Sequence, residues 1–179
     1  MLELCTLASG SSGNCLLVSS GDTHILVDAG ISCRRITTAL KAMGLDPKAL
    51  SAVLVTHEHS DHIAGLATMT KQLAVPVYAS RGTGMQLCYR IPFLEEVLHT
   101  FTPGERFSLG GVDVESFATP HDAAQSTGYA LSAGGKKAAV VTDLGHVTDE
   151  VAEGIRGAAL LVAEANHDVE WLQSGPYPY

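Results

Sequence analysis

The chain has 179 residues, 46% of them hydrophobic, which suits one compact domain with a sizeable core over residues 1–179. A formal net charge of −8 argues against a broad nucleic-acid surface, which needs a basic stripe. No apolar run approaches the ~18 residues of a membrane helix, and Met1-Leu2-Glu3-Leu4 lacks the features of a secretory leader, so a cytoplasmic location without membrane contact is expected.

In chain order, Leu2 to Leu7 and Cys15 to Val18 read as strands on either side of the small-residue loop Ser9 to Asn14. His24 to Asp28 is a third strand, ending at Ala29-Gly30. Ser32 then caps a helix that runs to about Met43 and stops at Gly44. Leu50 to Thr56 is an apolar, buried strand, and a helix follows from about His62 to Leu73. Pro76 precedes the strand Val77 to Ala79, and a short helix covers roughly Gly84 to Arg90. Val97 to Phe101, Arg106 to Leu109, Val112 to Ala118, Gly128 to Leu131 and Lys137 to Val141 are short strands bounded by Gly, Pro or Thr. A helix from Thr148 to Ile155 and a strand from Ala159 to Ala163 close the regular part. The mixture reads as α/β, in part α+β, with sheets covered by helices. Cys5, Cys15, Cys33 and Cys88 have no paired spacing and read as reduced thiols.

The run Thr56-His57-Glu58-His59-Ser60-Asp61-His62 holds the most chemistry. His57 and His59 are two residues apart, so in extended chain they point to one side, while Asp61 and His62 follow at the turn into the next helix. An apolar strand ending in H-x-H-x-D-H can deliver ligands to a pair of metal ions. Imidazole with carboxylate suits Zn, Mn or Fe. Glu58 faces away from its histidine neighbours and reads as solvent-facing or structural. Two further strand tips carry ligand-capable side chains, His121-Asp122 after Pro120 and Asp143 after Thr142. Taken alone, each is an ordinary loop histidine or turn aspartate. Acids that ligate metal are neutralised in the folded protein, which softens the charge objection to a nucleic-acid substrate. The adjacent basic pairs Arg34-Arg35 and Lys136-Lys137 read as solvated faces.

Together these motifs resemble the metallo-β-lactamase superfamily, with H-x-H-x-D-H at His57, His59, Asp61 and His62 and the later histidine and aspartate at His121 and Asp143. Leu7-Ala8-Ser9-Gly10-Ser11-Ser12-Gly13-Asn14, Asp28-Ala29-Gly30, Thr142-Asp143-Leu144-Gly145 and Glu164-Ala165-Asn166-His167-Asp168 are similar to its YycJ/WalJ group. The resemblance implies an αββα sandwich and a phosphodiesterase that uses two divalent metal ions, acting as a 5′ to 3′ DNA exonuclease through a metal-bridging hydroxide. It implies that His57, His59 and His121 hold one ion. Asp61, His62 and a later histidine hold the other, and Asp143 bridges. Asp61 also aims the hydroxide, and Asp28 orients a ligating histidine from behind. The family pattern continues beyond a Gly-Pro-Tyr-Pro segment to that later histidine, in a Gly-His-Leu-Ser motif. The sandwich is therefore expected to be incomplete at its C-terminal side, with an open sheet edge inviting association or a separate piece completing it.

Two assignments keep alternatives. His167 reads equally as a substrate-phosphate contact or proton donor and as a helix-start residue capped by Asn166. Ser11, Ser12 and Asn14 read as a backbone nest for phosphate or as a plain hairpin loop. Two functional alternatives also stand: a hydrolase of thioester or other carbonyl substrates, and an impaired fragment that binds one metal.

Overall fold

A computed structural model of the chain describes residues 1–163. Eleven strands form two sheets among these residues. The first comprises β1 (Glu3–Ala8), β2 (Cys15–Ser20), β3 (Thr23–Val27), β4 (Leu50–Leu54), β5 (Val77–Ser80) and β6 (Leu98–Phe101), lying in that order. β1, β2 and β3 are antiparallel, and from β3 to β6 the pairings are parallel. The second sheet comprises β7 (Arg106–Leu109), β8 (Val112–Ala118), β9 (Thr127–Ala133), β10 (Lys136–Val141) and β11 (Leu160–Ala163). It is antiparallel except for the parallel β10–β11 pair.

Period-two alternation explains how the layers assemble. From β2, β3 and β4, Leu17, Leu26 and Val53 point outward and pack with Ile36 and Leu40 of α1 (Cys33–Ala42), Leu66 and Met69 of α3 (Leu66–Leu73) and Leu87 of α4 (Arg81–Arg90). Their strand neighbours Leu16, Val18, Ile25, Val27 and Leu54 point the other way, onto Val112, Val114, Tyr129, Leu131 and Val140 of the second sheet. The side chains of that inter-sheet layer are buried, and each fully buried aliphatic one contributes about 1.5–3 kcal/mol. On the far face of the second sheet, α5 (Asp149–Ile155) lays Val151 against Phe117, Ala130 and Val141. The layer order is the expected helix–sheet–sheet–helix, an α/β fold.

Several boundaries depart from the sequence reading by a residue or more, and three have a clear local cause. The single helix expected from His62 to Leu73 is two, α2 (Ser60–Ile63) and α3. Gly65 separates them because its backbone closes on the loop after β3: its N–H donates to the Ala29 carbonyl at 2.8 Å, and a Cβ there would lie 2.2 Å from the Ile31 oxygen. The helix expected from Gly84 begins at Arg81, capped by Ser80, whose hydroxyl accepts from the Thr83 N–H. β4 ends at Leu54, two residues earlier than expected, because the chain must leave the ladder to present its histidines. All four cysteines are free thiols. No helix among the described residues is long and apolar enough to cross a membrane.

Candidate metal centre

The described ligand candidates converge at one edge of the sandwich, from the loops after β4, β8 and β10. The nitrogens of His57, His59 and His121 form one group of donor atoms within 4.8 Å of one another. Those of His57 and His62 form a second group with an Asp143 carboxylate oxygen. His57 belongs to both. Its ring centroid lies 4.0 Å from that of His62 and 4.6 Å from those of His59 and His121. His121 Nε2 stands 3.2 Å from His59 Nδ1. Asp143 Oδ2 reaches His62 Nε2 at 3.0 Å, and Asp61 Oδ2 lies 3.5 Å from the same nitrogen.

The first half of the cluster is braced from below. Asp28 follows β3 and is 1% exposed. Its carboxylate accepts from the Thr56 backbone N–H at 2.8 Å, from the Thr56 hydroxyl, and from His62 Nδ1 at 2.8 Å. Asp28 thus holds the His62 ring with Nε2 turned into the cluster. Thr56 does the same for His57. Its one hydroxyl proton goes to Asp28, so its oxygen accepts from His57 Nδ1 at 3.0 Å. That tautomer leaves a lone pair on His57 Nε2, which is buried with no hydrogen-bond partner among the described residues.

The loop before β2 packs against the same segment. Asn14 N–H donates to the Asp61 carbonyl at 2.7 Å, and the Asn14 carbonyl accepts from Gly30 N–H at 2.8 Å. Gly30 has no room for a side chain: a Cβ would lie 1.6 Å from the Asp61 oxygen. The Gly10 N–H occupies Asn14 Oδ1, so the amide nitrogen faces the cluster, 3.1 Å from His62 Nε2 and 3.5 Å from Asp61 Oδ2.

Electrostatics are set by this crowding. Burial pushes His57 well below the ordinary histidine range, and neighbouring His62 pushes it further. Burial likewise lowers His121. Burial opposes charge on His62, yet hydrogen bonds to Asp143 and Asp28 prevail and raise it to about 10. Burial would raise the Asp143 carboxyl, but its hydrogen bond to His62 wins and holds it low. The donor set fits a divalent cation: several imidazoles meet at an orphaned buried nitrogen of His57, with the low-lying Asp143 carboxylate beside them.

The backbone joins the design at two strand ends. Asp28 and Asp143 both adopt left-handed conformations, φ 63° and 53°. Aspartate tolerates this region better than most residues because its short side chain bonds locally.

His57, His59, Asp61, His62, His121, Asp143 and Asp28 therefore fall in one constellation. Asn14 joins it through its side chain, whereas Ser11 and Ser12 are exposed on the loop beyond. His167 lies outside the described residues, as do Glu164–Asp168 and the closing segment. Sequence reasoning missed Thr56 as the brace for His57, and it left open a solvent-facing Glu58. Glu58 is in fact buried. The signal for Thr56 was its place as the last polar residue before the histidines, opposite Asp28 at the neighbouring strand end.

A family profile described as "Beta-lactamase superfamily domain" matches residues 23–175. The chain belongs to the β-lactamase superfamily. It is 41% identical to "Exodeoxyribonuclease YycJ" of Bacillus anthracis, over 99% of this chain and 68% of that protein. It is 38% identical to "Exodeoxyribonuclease WalJ" of Streptococcus pneumoniae serotype 2, over 97% of this chain and 65% of that protein. The chain thus spans about two thirds of the length of these relatives. Among solved structures, a B3 metallo-β-lactamase with an active-site glutamic acid superposes with a TM-score of 0.70 at 18% identity, covering 89% of this chain and 74% of that one. This likeness establishes the metallo-β-lactamase fold.

Proposed function

We propose that this chain is a metal-dependent nuclease that degrades DNA from a 5′ end, with two divalent cations, Zn or Mn, at the His57–His62/His121/Asp143 centre. The observation that carries the reading is His57, which belongs to two overlapping donor groups and whose buried Nε2 has no hydrogen-bond partner among the described residues. The exodeoxyribonuclease names of the two relatives supply the substrate class. In this reading His57, His59 and His121 would hold one cation and His62, Asp61 and Asp143 the other, with His57 belonging to both donor groups. Bound there, divalent cations would supply an activated water and neutralise charge on phosphoryl oxygens.

The remaining work falls to the chain. Asp61, part-exposed at the rim, accepts the proton of the attacking water and hands it to solvent. Asn14 steers that carboxylate through its amide. Asp28 and Thr56 keep His62 and His57 in fixed tautomers, so both rings present lone pairs once loaded. Ser11 and Ser12, exposed on the loop that carries Asn14, would take a phosphate of the DNA backbone, and His167 would serve the leaving oxygen. Association through the second sheet's edge belongs to the same proposal, since β11 leaves Leu160 and Leu161 44% and 48% exposed.

The test uses linear DNA labelled at either end, closed circular DNA and a glutathione thioester, each with Mn or Zn. Mononucleotide release from linear DNA, starting at the 5′ end and absent from circles, is expected. Thioester turnover without diester cleavage overturns the proposal in favour of a carbonyl hydrolase.

A further inference from the structure

Glu58 lies between two candidate ligands and joins neither donor group. It is 6% exposed. In extended chain the middle residue of H-x-H faces away from its neighbours, and here that side meets the loop between β8 and β9. One Glu58 carboxylate oxygen accepts from the Ala124 N–H at 2.9 Å, and the other lies 3.5 Å from the Thr83 hydroxyl. Its own carbonyl accepts from an Arg90 guanidinium N–H at 2.7 Å. Ala124 is three residues beyond His121.

The neighbouring contacts show what is being held. Gln125 is fixed to the start of α4: its side-chain oxygen accepts from the Gly82 N–H at 2.8 Å, and its carbonyl accepts from the Ser80 hydroxyl at 2.6 Å. The base of the loop is closed by Thr119 and Ser126, whose hydroxyls bond at 2.8 Å. His121 lies between the Thr119–Ser126 closure and Ala124, its carbonyl accepting from the Ala123 N–H at 2.9 Å. A buried carboxylate is costly unless it is hydrogen-bonded, and a charge-assisted bond to a backbone N–H is among the stronger neutralising contacts available. The same three-residue stretch thus sends two imidazoles into the centre and a carboxylate to the loop that supplies the third.

We propose that Glu58 is the positioning residue for His121: its carboxylate, bonded to the Ala124 N–H, sets the distance between His121 and the His57/His59 pair. This rests on the reading of that group as a cation site. Glu58 itself touches neither substrate nor metal.

The test is Zn2+ titration of the whole metal-free chain against a chromophoric chelator. Glu58→Met, similar in length and apolar, is expected to weaken Zn2+ binding at the His57/His59/His121 group about 10–100-fold, the range for losing a residue that supports a ligand. Glu58→Gln should recover most of the loss, because its carbonyl oxygen still accepts the Ala124 N–H. In a His121→Ala background, Glu58→Met should add nothing, since the two changes act through one ligand. Wild-type affinity in Glu58→Met overturns the proposal. So does a Glu58→Gln loss equal to that of Glu58→Met, or full additivity with His121→Ala. If Glu58→Met fails to fold, judged by metal-free melting, Glu58→Asp carries the same test: it keeps the charge but withdraws it by one methylene. A loss is then expected, and parity with wild type overturns the idea. Wild-type chain that takes up no Zn2+ sinks the cation-site reading and this proposal with it. Zinc uptake with no Glu58 effect sinks this proposal alone.

Discussion

The two halves of the centre are built by different means. His57 to His62 come from one segment whose rings are held from behind by Asp28, Thr56 and Asn14, and His57 and His62 are wholly buried. His121 and Asp143 arrive singly, from loops of the other sheet, and both are half-buried. The Gly145 N–H to Pro120 carbonyl bond ties those two loops to each other. The first half is pre-organised by contacts formed within one sheet. The second depends on the packing of the sheets across the inter-sheet core, where the Tyr129 hydroxyl donates to the Val55 carbonyl at 2.6 Å. A cluster assembled this way should be stiff on one side and adjustable on the other.

The largest effect should come from the shared ligand. His57→Ala removes a donor from both groups, so DNA hydrolysis is expected to fall by at least ~100-fold, with bound metal per chain, measured by elemental analysis, falling as well. His121→Ala touches one group only and should retain more metal. Equal losses would erase the distinction between the halves. Next, Asp28→Asn keeps the backbone conformation but weakens the hold on His62. Activity should fall about 10–100-fold with little change in Zn2+ binding at the His57/His59/His121 group.

Gly30→Ala tests the stiff side directly. Its methyl would collide with the Asp61 carbonyl, so destabilisation of about 3 kcal/mol is expected in chemical denaturation, the scale of severe overpacking. A neutral result would mean that the loop before β2 yields easily.

The smallest expected effect is a pH dependence of the metal-free chain. His62 is raised to about 10 when folded, against an ordinary value of 6.5, so its stabilisation is complete below pH 6.5 and is lost as pH climbs toward 10. His57 is lowered to about 3, so folding resists its protonation and stability falls as pH drops from 6.5 toward 3. The metal-free melting temperature should therefore peak near pH 6–7. Metal loading at pH 7 should release the His62 proton, seen as a buffer-dependent heat in calorimetry. A monotonic melting profile would show that these two imidazoles do not dominate.

What could be read from the chain follows the same division. H-x-H-x-D-H was legible because its side chains are neighbours in sequence and local spacing brings them together just past the end of β4. His121 and Asp143 were single residues at strand ends, with nothing local to set them apart from turn formers. Only the family resemblance joined them to the cluster. Long-range braces were legible in part: Asp28 through that resemblance, Thr56 not at all. Glu58 was half read, since alternation gave its direction but not what lay on that side. Helix breaks such as the one at Gly65 depend on a close approach between segments distant in sequence.

The left-handed backbone at Asp28 and Asp143 bears on how mutational data should be interpreted. Alanine at either position would remove a carboxylate and also impose a main-chain conformation costing roughly 1–2 kcal/mol, so an alanine scan would overstate the chemical importance of both sites. Asparagine separates the two contributions, because it accepts the same dihedral angles while discarding the charge.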